Sequence, residues 1–531
     1  MQRFMIVALV AAAGIAAPAL AQGTVTGPNA GATPYMLPAS NSSGVQFVSI
    51  ATTGANIFYN NLDTGLATYR NVGIPDGLGI YRDADDIANN TFSVVQNHEL
   101  GATDGIVRAH GSTGAFVSQW KVRRNDFGVV GGRDLIQGVN TFNNATNSFV
   151  AGTTQFGRFC SADLAAQSAY KWMDPTTGTV YGTDSRILLN GEESGPEGRA
   201  FANIIDGPEA RQSYQLPDLA RFSWENAVSN PLSQRKTIVA GTDDSTPGQV
   251  YFYVGDKQAT GNTIERAGLM NDKTYGMRVP GIALEGAAPI NSTFTMVDKS
   301  ATQRGTGAAF QQSSRDLGVT EFARPEDSAW NPSNPNQLIW VNTGGTVNGV
   351  PVPTRIYSAD FTDIANPELG GNITMLGQGN DFSTFGGGVT SFTPGTTTAN
   401  SFDNIAISRF NQVLIQEDVG NNARLGRLWM YDLVSDSMIE IGISDSSLFL
   451  TGGSNYIGTQ DEETSGIVDA WDTIGPGWWL INMQSHNTLG GELVQGGQMM
   501  AVFIPQTVPT PGAVAVLGLG GLMAARRRRS K

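Results

Sequence analysis

From Val45 onward the chain repeats one local pattern, in which short β-branched and aromatic runs are separated by clusters of Gly, Asn and Asp. Val45-Gln-Phe-Val-Ser-Ile50, Thr91-Phe-Ser-Val-Val95, Ala115 to Val122, Gln249 to Val254, Gln337 to Val341, Gln412 to Ile415 and Trp478 to Ile481 are such runs. Runs of this length bounded by turn formers are strand signals. The 65 glycines and the scarcity of lysine fit many tight turns. Amphipathic helical stretches are few, and Asp163 to Trp172 is the best candidate. Roughly 450 residues of β-structure exceed one sandwich but suit a propeller of about six blades. The expectation is an all-β, decorated β-propeller with long loop insertions, although no strict blade repeat is visible.

The two ends read differently. Met1-Gln-Arg3, the apolar run Phe4 to Ala17 and the small residues before Gln22 form an export signal over 1–21. Residues 22–44 are small, polar and rich in Pro and Gly, and read as a linker to a domain spanning 45–505. Beyond it, in 506–531, come Thr507-Val-Pro509-Thr-Pro511, the apolar run Gly512 to Ala525 and Arg526 to Arg529. That run is short for a spanning helix, which needs about 20 residues. Its layout resembles the PEP-CTERM class of bacterial sorting signals, with Pro-Thr-Pro in place of Pro-Glu-Pro. The localisation expected is exported, periplasmic, cell-surface or extracellular, with transient anchoring by the C-terminal segment and contact with a sorting machinery.

A net charge of −14 argues against non-specific nucleic-acid binding. Cys160 is the only cysteine, so no internal disulfide framework is available, and a free thiol in an exported chain asks for another role. A thiolate beside carboxylates suits a transition metal, while surplus carboxylates suit a hard cation such as calcium. The blander readings are a buried small hydrophobe and a soluble acidic surface.

Polar clusters recur beside the expected strands. They are Asn97-His98-Glu99; Cys160 with Glu192-Glu193; Arg221-Phe-Ser-Trp224-Glu225; Asp243-Asp244; Arg324-Pro325-Glu326-Asp327; Gln416-Glu417-Asp418; and Asp461-Glu462-Glu463, answered by Asn482, Gln484 and His486. Each alone reads as a turn or a solvated loop. In a propeller, equivalent strand ends from different blades converge on the central channel, so these groups can meet.

The order of these clusters, with the single cysteine, resembles the PhoX-type alkaline phosphatases from about Val45 to Asn487. The resemblance implies a six-bladed propeller whose channel holds two Fe(3+) ions bridged by oxygen and by a cysteine thiolate, with Ca(2+) beside them. Carried over, Cys160 is the shared thiolate, and Glu99, Glu193, Glu225 and Glu326 complete the metal ligands. Arg324 holds a phosphate oxygen, a task that suits the guanidinium fork. Asp243, Asp244 and Glu463 are candidates for calcium or for supporting contacts. Phe159 stands where the family usually has Asn, and Ser161-Ala-Asp163 follows Cys160 where it has a small Asn/Gly-rich loop. The segment from there to Glu192 is longer, Trp224 stands where the family has His, and Gln484-Ser485-His486 replaces a Gln-His pair. These departures lie next to the expected site residues. The function expected is an exported, metal-dependent phosphoester hydrolase acting on a phosphorylated small molecule. The alternative is a PhoX-like cell-surface propeller with weak or no catalysis, making envelope or matrix contacts.

Overall fold

The computed structural model describes residues 23–40, 42–379, 388–391 and 399–505. The export signal and the C-terminal sorting segment lie outside them. Six blades radiate from one axis. Their innermost strands are Pro75–Tyr81, Phe159–Asp163, Trp224–Ser229, Pro325–Trp330, Phe402–Ile407 and Glu462–Asp469, and we number the blades one to six in this order. Each innermost strand touches the next, and the last touches the first, closing a ring around a channel. The all-β propeller of about six blades is therefore what the chain forms. Only four short α-helices occur among the described residues, the longest being Gly307–Asp316.

Closure uses both ends of the domain. Gln46–Thr52 pairs antiparallel with Val494–Phe503, so an N-terminal strand completes the C-terminal blade. Strand Asn291–Asp298 pairs with Lys273–Arg278 on one side and Gly371–Gln378 on the other, joining blades three and four at their rims.

Two sequence readings are corrected. The segment read as a linker carries two strands: Gly23–Thr26 runs parallel to Gln46–Thr52, and Met36–Pro38 pairs with Ser437–Ser444. The rims of blades five and six present unpaired backbone groups, and satisfying them outweighs a linker-like composition. The side chains of Tyr35 and Met36 are buried there, and the Tyr35 amide donates to Gln498 Oε1 at 2.8 Å. The second correction concerns 163–172, which is no amphipathic helix. Phe159–Asp163 is an innermost strand, followed by a 3-10 turn at Gln167–Tyr170 and the strand Lys171–Met173. The Tyr170 hydroxyl reaches Ser229 of blade three, a tertiary contact that local periodicity could not register.

The hydrophobic core is divided among the seams between blades. Phe222, Trp224, Leu189 and Tyr251 pack between blades two and three. Phe252, Trp340 and Tyr357 fill the next seam, and Phe402, Ile415 and Trp429 the one after. Equivalent clusters lie between blades five and six, six and one, and one and two. Burying a large side chain stabilises by about 1.5–3 kcal/mol, so the seams dominate stability and leave the axis free for polar groups.

Among the described residues two buried lysines, Lys257 and Lys299, have no salt bridge. Lys257 is fully buried and donates to the Lys236 carbonyl oxygen at 2.8 Å. Burial pulls its amine down from 10.5 to about 7. The unfolded chain therefore binds more protons between pH 7 and 10.5, and the penalty is fully present below about 7 and fades as pH rises. Lys257→Met is expected to raise unfolding free energy by about 1–3 kcal/mol at pH 6, with the gain shrinking towards pH 10. Urea denaturation of both proteins across that range measures it; a gain independent of pH would contradict the assignment.

Candidate metal centre at the channel mouth

The site follows from one rule of position. The second residue of each innermost strand is Asp76, Cys160, Glu225, Glu326, Asp403 or Glu463, in blade order. In blades one to five the pairing register shifts just there: between Pro75 and Leu78, Phe159 and Ala162, Trp224 and Ala227, Pro325 and Ser328, and Phe402 and Ile405. Blade six shifts between Ser465 and Ile467. Such bulges bend the strand and re-aim a side chain. Side chains alternate along a strand, so when the second residue meets the channel its predecessor turns away. Phe159, Trp224 and Phe402 accordingly lie in the hydrophobic seams. Two departures from the family pattern, Phe159 and Trp224, thus face the core and not the channel.

A second tier follows from the registers. The strand partners of the six first residues are His98, Glu192, Asp243, Asn342, Glu417 and Ser485. The next residues along are Glu99, Glu193, Asp244, Thr343, Asp418 and His486. Six blades thus contribute two stacked positions each, ten of which are acidic or cysteine.

Donor atoms of Asp76, Glu99 and Cys160 lie within 4.8 Å of one another. So do those of Cys160, Glu193 and Glu225; of Glu225, Glu326 and Asp403; and of Asp403, Asp418 and Glu463. Neighbouring groups share Cys160, Glu225 or Asp403, so the donors form one continuous arc. Cys160 Sγ is 3.4 Å from both Asp76 Oδ2 and Glu225 Oε1. Gly77 permits the approach, because a Cβ there would lie 2.2 Å from the Ala162 amide nitrogen.

All the expected ligands, Glu99, Cys160, Glu193, Glu225 and Glu326, therefore meet here, together with Glu463 and Asp244. Asp243 does not join them: its carboxylate accepts from Ser245 and Gln311. Sequence reasoning passed over Asp76 and Asp403 and left Asp418 without a role. The signal that finds them is the position itself, second in an innermost strand or just after the strand beside it.

Surrounding residues fix this geometry. Asn97 Nδ2 donates to the Cys160 and Ser161 carbonyl oxygens at 2.8 and 3.1 Å, and its Oδ1 accepts from Asn190. His98 faces away from the donors, bonding Ser118 Oγ and the Gly73 carbonyl oxygen and stacking on Phe116 at 4.3 Å. Burial pushes it down to about 3, so it is a neutral buttress. Gln484 Nε2 spans Asp76, Glu99 and Glu463 at 2.8, 2.8 and 3.1 Å.

Arg158 and Arg324 are the two guanidinium groups that pair with these donors. Each immediately precedes an innermost strand and has left-handed backbone, with φ of 37° and 61°. Arg158 pairs with Glu99 at 2.5 Å and Glu193 at 2.6 Å. Arg324 pairs with Asp244 at 2.7 Å and Glu326 at 3.0 Å. The Arg324 loop is held from behind, where buried Glu285 accepts from the Ala323 amide, Asn342 and Arg355.

Against these two guanidinium groups stand nine carboxylates and a thiol, six of the ten buried and the other four half-buried. Burial, reinforced by neighbouring acids, lifts Asp76, Glu225 and Asp403 far above the usual carboxylate range. Burial also lifts Glu326, with Arg324 opposing it. Glu463 is raised to about 7 by burial, with His486 opposing. For His486 burial alone acts downward, yet Glu463 overrides it and holds the imidazole at about 9. The Cys160 thiol is raised by burial and then by Asp76 and Glu225, so it stays protonated without a cation nearby. That excludes a free thiolate nucleophile at neutral pH. Asp76 Oδ1 is buried with no hydrogen-bond partner. An acidic cluster this deep, with an orphaned oxygen and a soft sulfur, has the donor set of a multi-cation site.

A separate concavity lies away from these donors. A cavity of about 270 Å³ opens at the other end of the channel, lined by Leu78, Asp163, Trp330, Ile405 and Ile467. It is mostly apolar and lacks the convergent donors of the mouth. Asn226 bonded to Asp327, and Asn404 bonded to Ser161, form a polar neck between the two ends.

The family described as alkaline phosphatase PhoX matches residues 205–439, which include Glu225, Asp244, Arg324, Glu326, Asp403 and Asp418. The PhoX resemblance is borne out. At the level of that family the activity is phosphoester hydrolysis and the enzymes are metal-dependent. The fold agrees: Pseudomonas fluorescens PhoX, in complex with vanadate as a transition-state analogue, superposes with a TM-score of 0.61. It is 11% identical, over 91% of this chain and 98% of that one. The GH93 α-L-arabinofuranosidase of Fusarium graminearum is 9% identical, with 85% and 97% coverage and a TM-score of 0.38. The periplasmic gluconolactonase of Pseudomonas aeruginosa is 8% identical, with 88% and 99% coverage and a TM-score of 0.33. The last two scores are too low to carry an argument. Among curated protein sequences nothing matches.

Proposed function

We propose that this chain is an exported phosphoester hydrolase whose PhoX-like propeller holds its metal ions in the channel mouth. The observation that carries the reading is the ring itself, in which one cysteine and five carboxylates occupy the same position in six blades. Glu99, Cys160, Glu193, Glu225 and Glu326 would hold a pair of Fe(3+) ions, the thiolate discriminating for iron over calcium. Asp403, Asp418 and Glu463, oxygen donors alone, suit Ca(2+). Bound, these ions polarise the phosphoryl group and make an oxygen nucleophile available near neutral pH.

The chain's own residues do the rest. Arg324 is part-exposed above Glu326, with a guanidinium fork free to take phosphoryl oxygens as Asp244 yields. Left-handed backbone at Arg324 and the Glu285 contact to Ala323 hold that fork in register with the ring. Thr343 steadies the Glu326 carboxylate through a hydrogen bond. Asn97 and Gln484 fix Cys160 and Asp76 before any ion arrives. The substrate is a phosphorylated small molecule entering from the mouth. Export over the N-terminal segment and sorting through residues 506–531 place the enzyme outside the cytoplasm in this reading.

The departures at Phe159 and Trp224 lie in the core seams, so these two do not favour a decayed, purely binding propeller. The test is hydrolysis of an aryl phosphate by protein purified without chelator. Turnover abolished by chelation and restored by iron with calcium is expected; no turnover, or turnover indifferent to chelation, would overturn the proposal.

A further inference from the structure

The two mouth arginines are related by the fold, yet they do not face the ring alike. Both occupy the residue before an innermost strand, in blades two and four, and both are left-handed. Arg324 reaches a ring acid, Glu326, and its side chain is 33% exposed. Among the described residues Arg158 pairs only with Glu99 and Glu193 of the outer tier, and its side chain is 51% exposed. Glu193 of blade two pairs with Arg158, and Asp244 of blade three pairs with Arg324. The rim therefore reads Arg158, Glu193, Asp244, Arg324, with two carboxylates between the cations. A whole blade, the third, stands between the two arginines.

Resting on the phosphoester reading above, we propose that Arg158 binds a second anionic group on the leaving-group side of the substrate. The preferred substrate class is then a phosphoester carrying an additional carboxylate or phosphate. With the phosphoryl group at Arg324 and the ring, the remainder of the molecule points outward across the rim. Arg158 is the cation it meets there. Apart from His486 on blade six, the rim around Arg158 is acidic and repels an anion, so this guanidinium sets both affinity and orientation. A charge-assisted bidentate contact of this kind gives a discrimination of about tenfold or more.

The test compares two non-hydrolysable probes, phenylphosphonate and 4-carboxyphenylphosphonate, by titration calorimetry on the metal-loaded full chain. Wild type is expected to bind the carboxylated probe about tenfold more tightly or better. In Arg158→Gln that ratio falls to near one, whereas in Arg324→Gln both affinities drop and the ratio persists. Arg158→Lys, which keeps the cation but loses the fork, gives a ratio below wild type. Elemental analysis and melting of each variant confirm that it is folded and loaded. A wild-type ratio near one, or a ratio unchanged in Arg158→Gln, overturns the assignment of Arg158. Wild type that binds neither phosphonate overturns the phosphoester reading itself.

Discussion

Chelated protein is expected to lose thermal stability steadily as pH rises from about 5 to 8, whereas the metal-loaded form holds its melting temperature across that range. The cause is the ring. Glu463 is lifted to about 7, and Asp76, Glu225, Glu326 and Asp403 are lifted well above the ordinary carboxylate range, chiefly by burial. A carboxyl with a raised folded-state pKa favours the native state below its unfolded value near 4. That stabilisation is lost as pH rises through the folded value. Metal-free protein must therefore either keep these groups protonated or open the mouth. Cations remove the conflict, and binding confined to the native state adds its own stabilisation. Scanning calorimetry of chelated and loaded samples at pH 5, 6.5 and 8 measures the effect. Equal slopes in the two series would mean that the ring carries no cations.

Arg324→Gln is expected to lower kcat/KM for an aryl phosphate by about 10²–10³, the usual cost of losing a donor aimed at developing charge. Glutamine keeps the polarity and much of the volume but neither the fork nor the charge. The same substitution leaves Asp244 and Glu326 without their cation. Metal content should therefore hold steady or rise while turnover falls. A variant that loses turnover and metals together would make Arg324 a structural counter-ion, not a substrate contact.

The propeller was legible because its signal is distributed. Strand runs such as Gln249–Val254 and Gln412–Ile415 recur along the whole chain, and no single misreading removes them. The start of the domain was less legible. The stretch 22–44 looks like linker by composition, and only the open rims of blades five and six turn Gly23–Thr26 and Met36–Pro38 into strands. At 163–172 the error was of the opposite kind. A locally helical pattern yielded to strand pairing of Phe159–Asp163 with Ile187–Glu192 and to the Tyr170 contact with Ser229.

The site divides in the same way. Glu225 and Glu326 were found because Arg and aromatic residues flank them in recognisable clusters. Asp76 sits in Pro75-Asp76-Gly77, which reads locally as a turn, and Asp403 in Phe402-Asp403-Asn404, which reads as an ordinary polar turn. Nothing nearby in sequence marks either one. They become ligand candidates only once six innermost strands are laid side by side and each second residue is seen to face the same axis. A ring assembled from six remote segments has no local signature, since its information lies in the register between strands.

The most direct measurement is elemental analysis of the mature chain, purified without chelator, beside Cys160→Ser. The account predicts about two irons per chain with calcium in the wild type. It also predicts loss of the iron, with the calcium retained, in a folded variant. A wild type without bound iron, or a Cys160→Ser protein with its full iron content, would contradict the assignment of the ring as a thiolate-bridged metal centre.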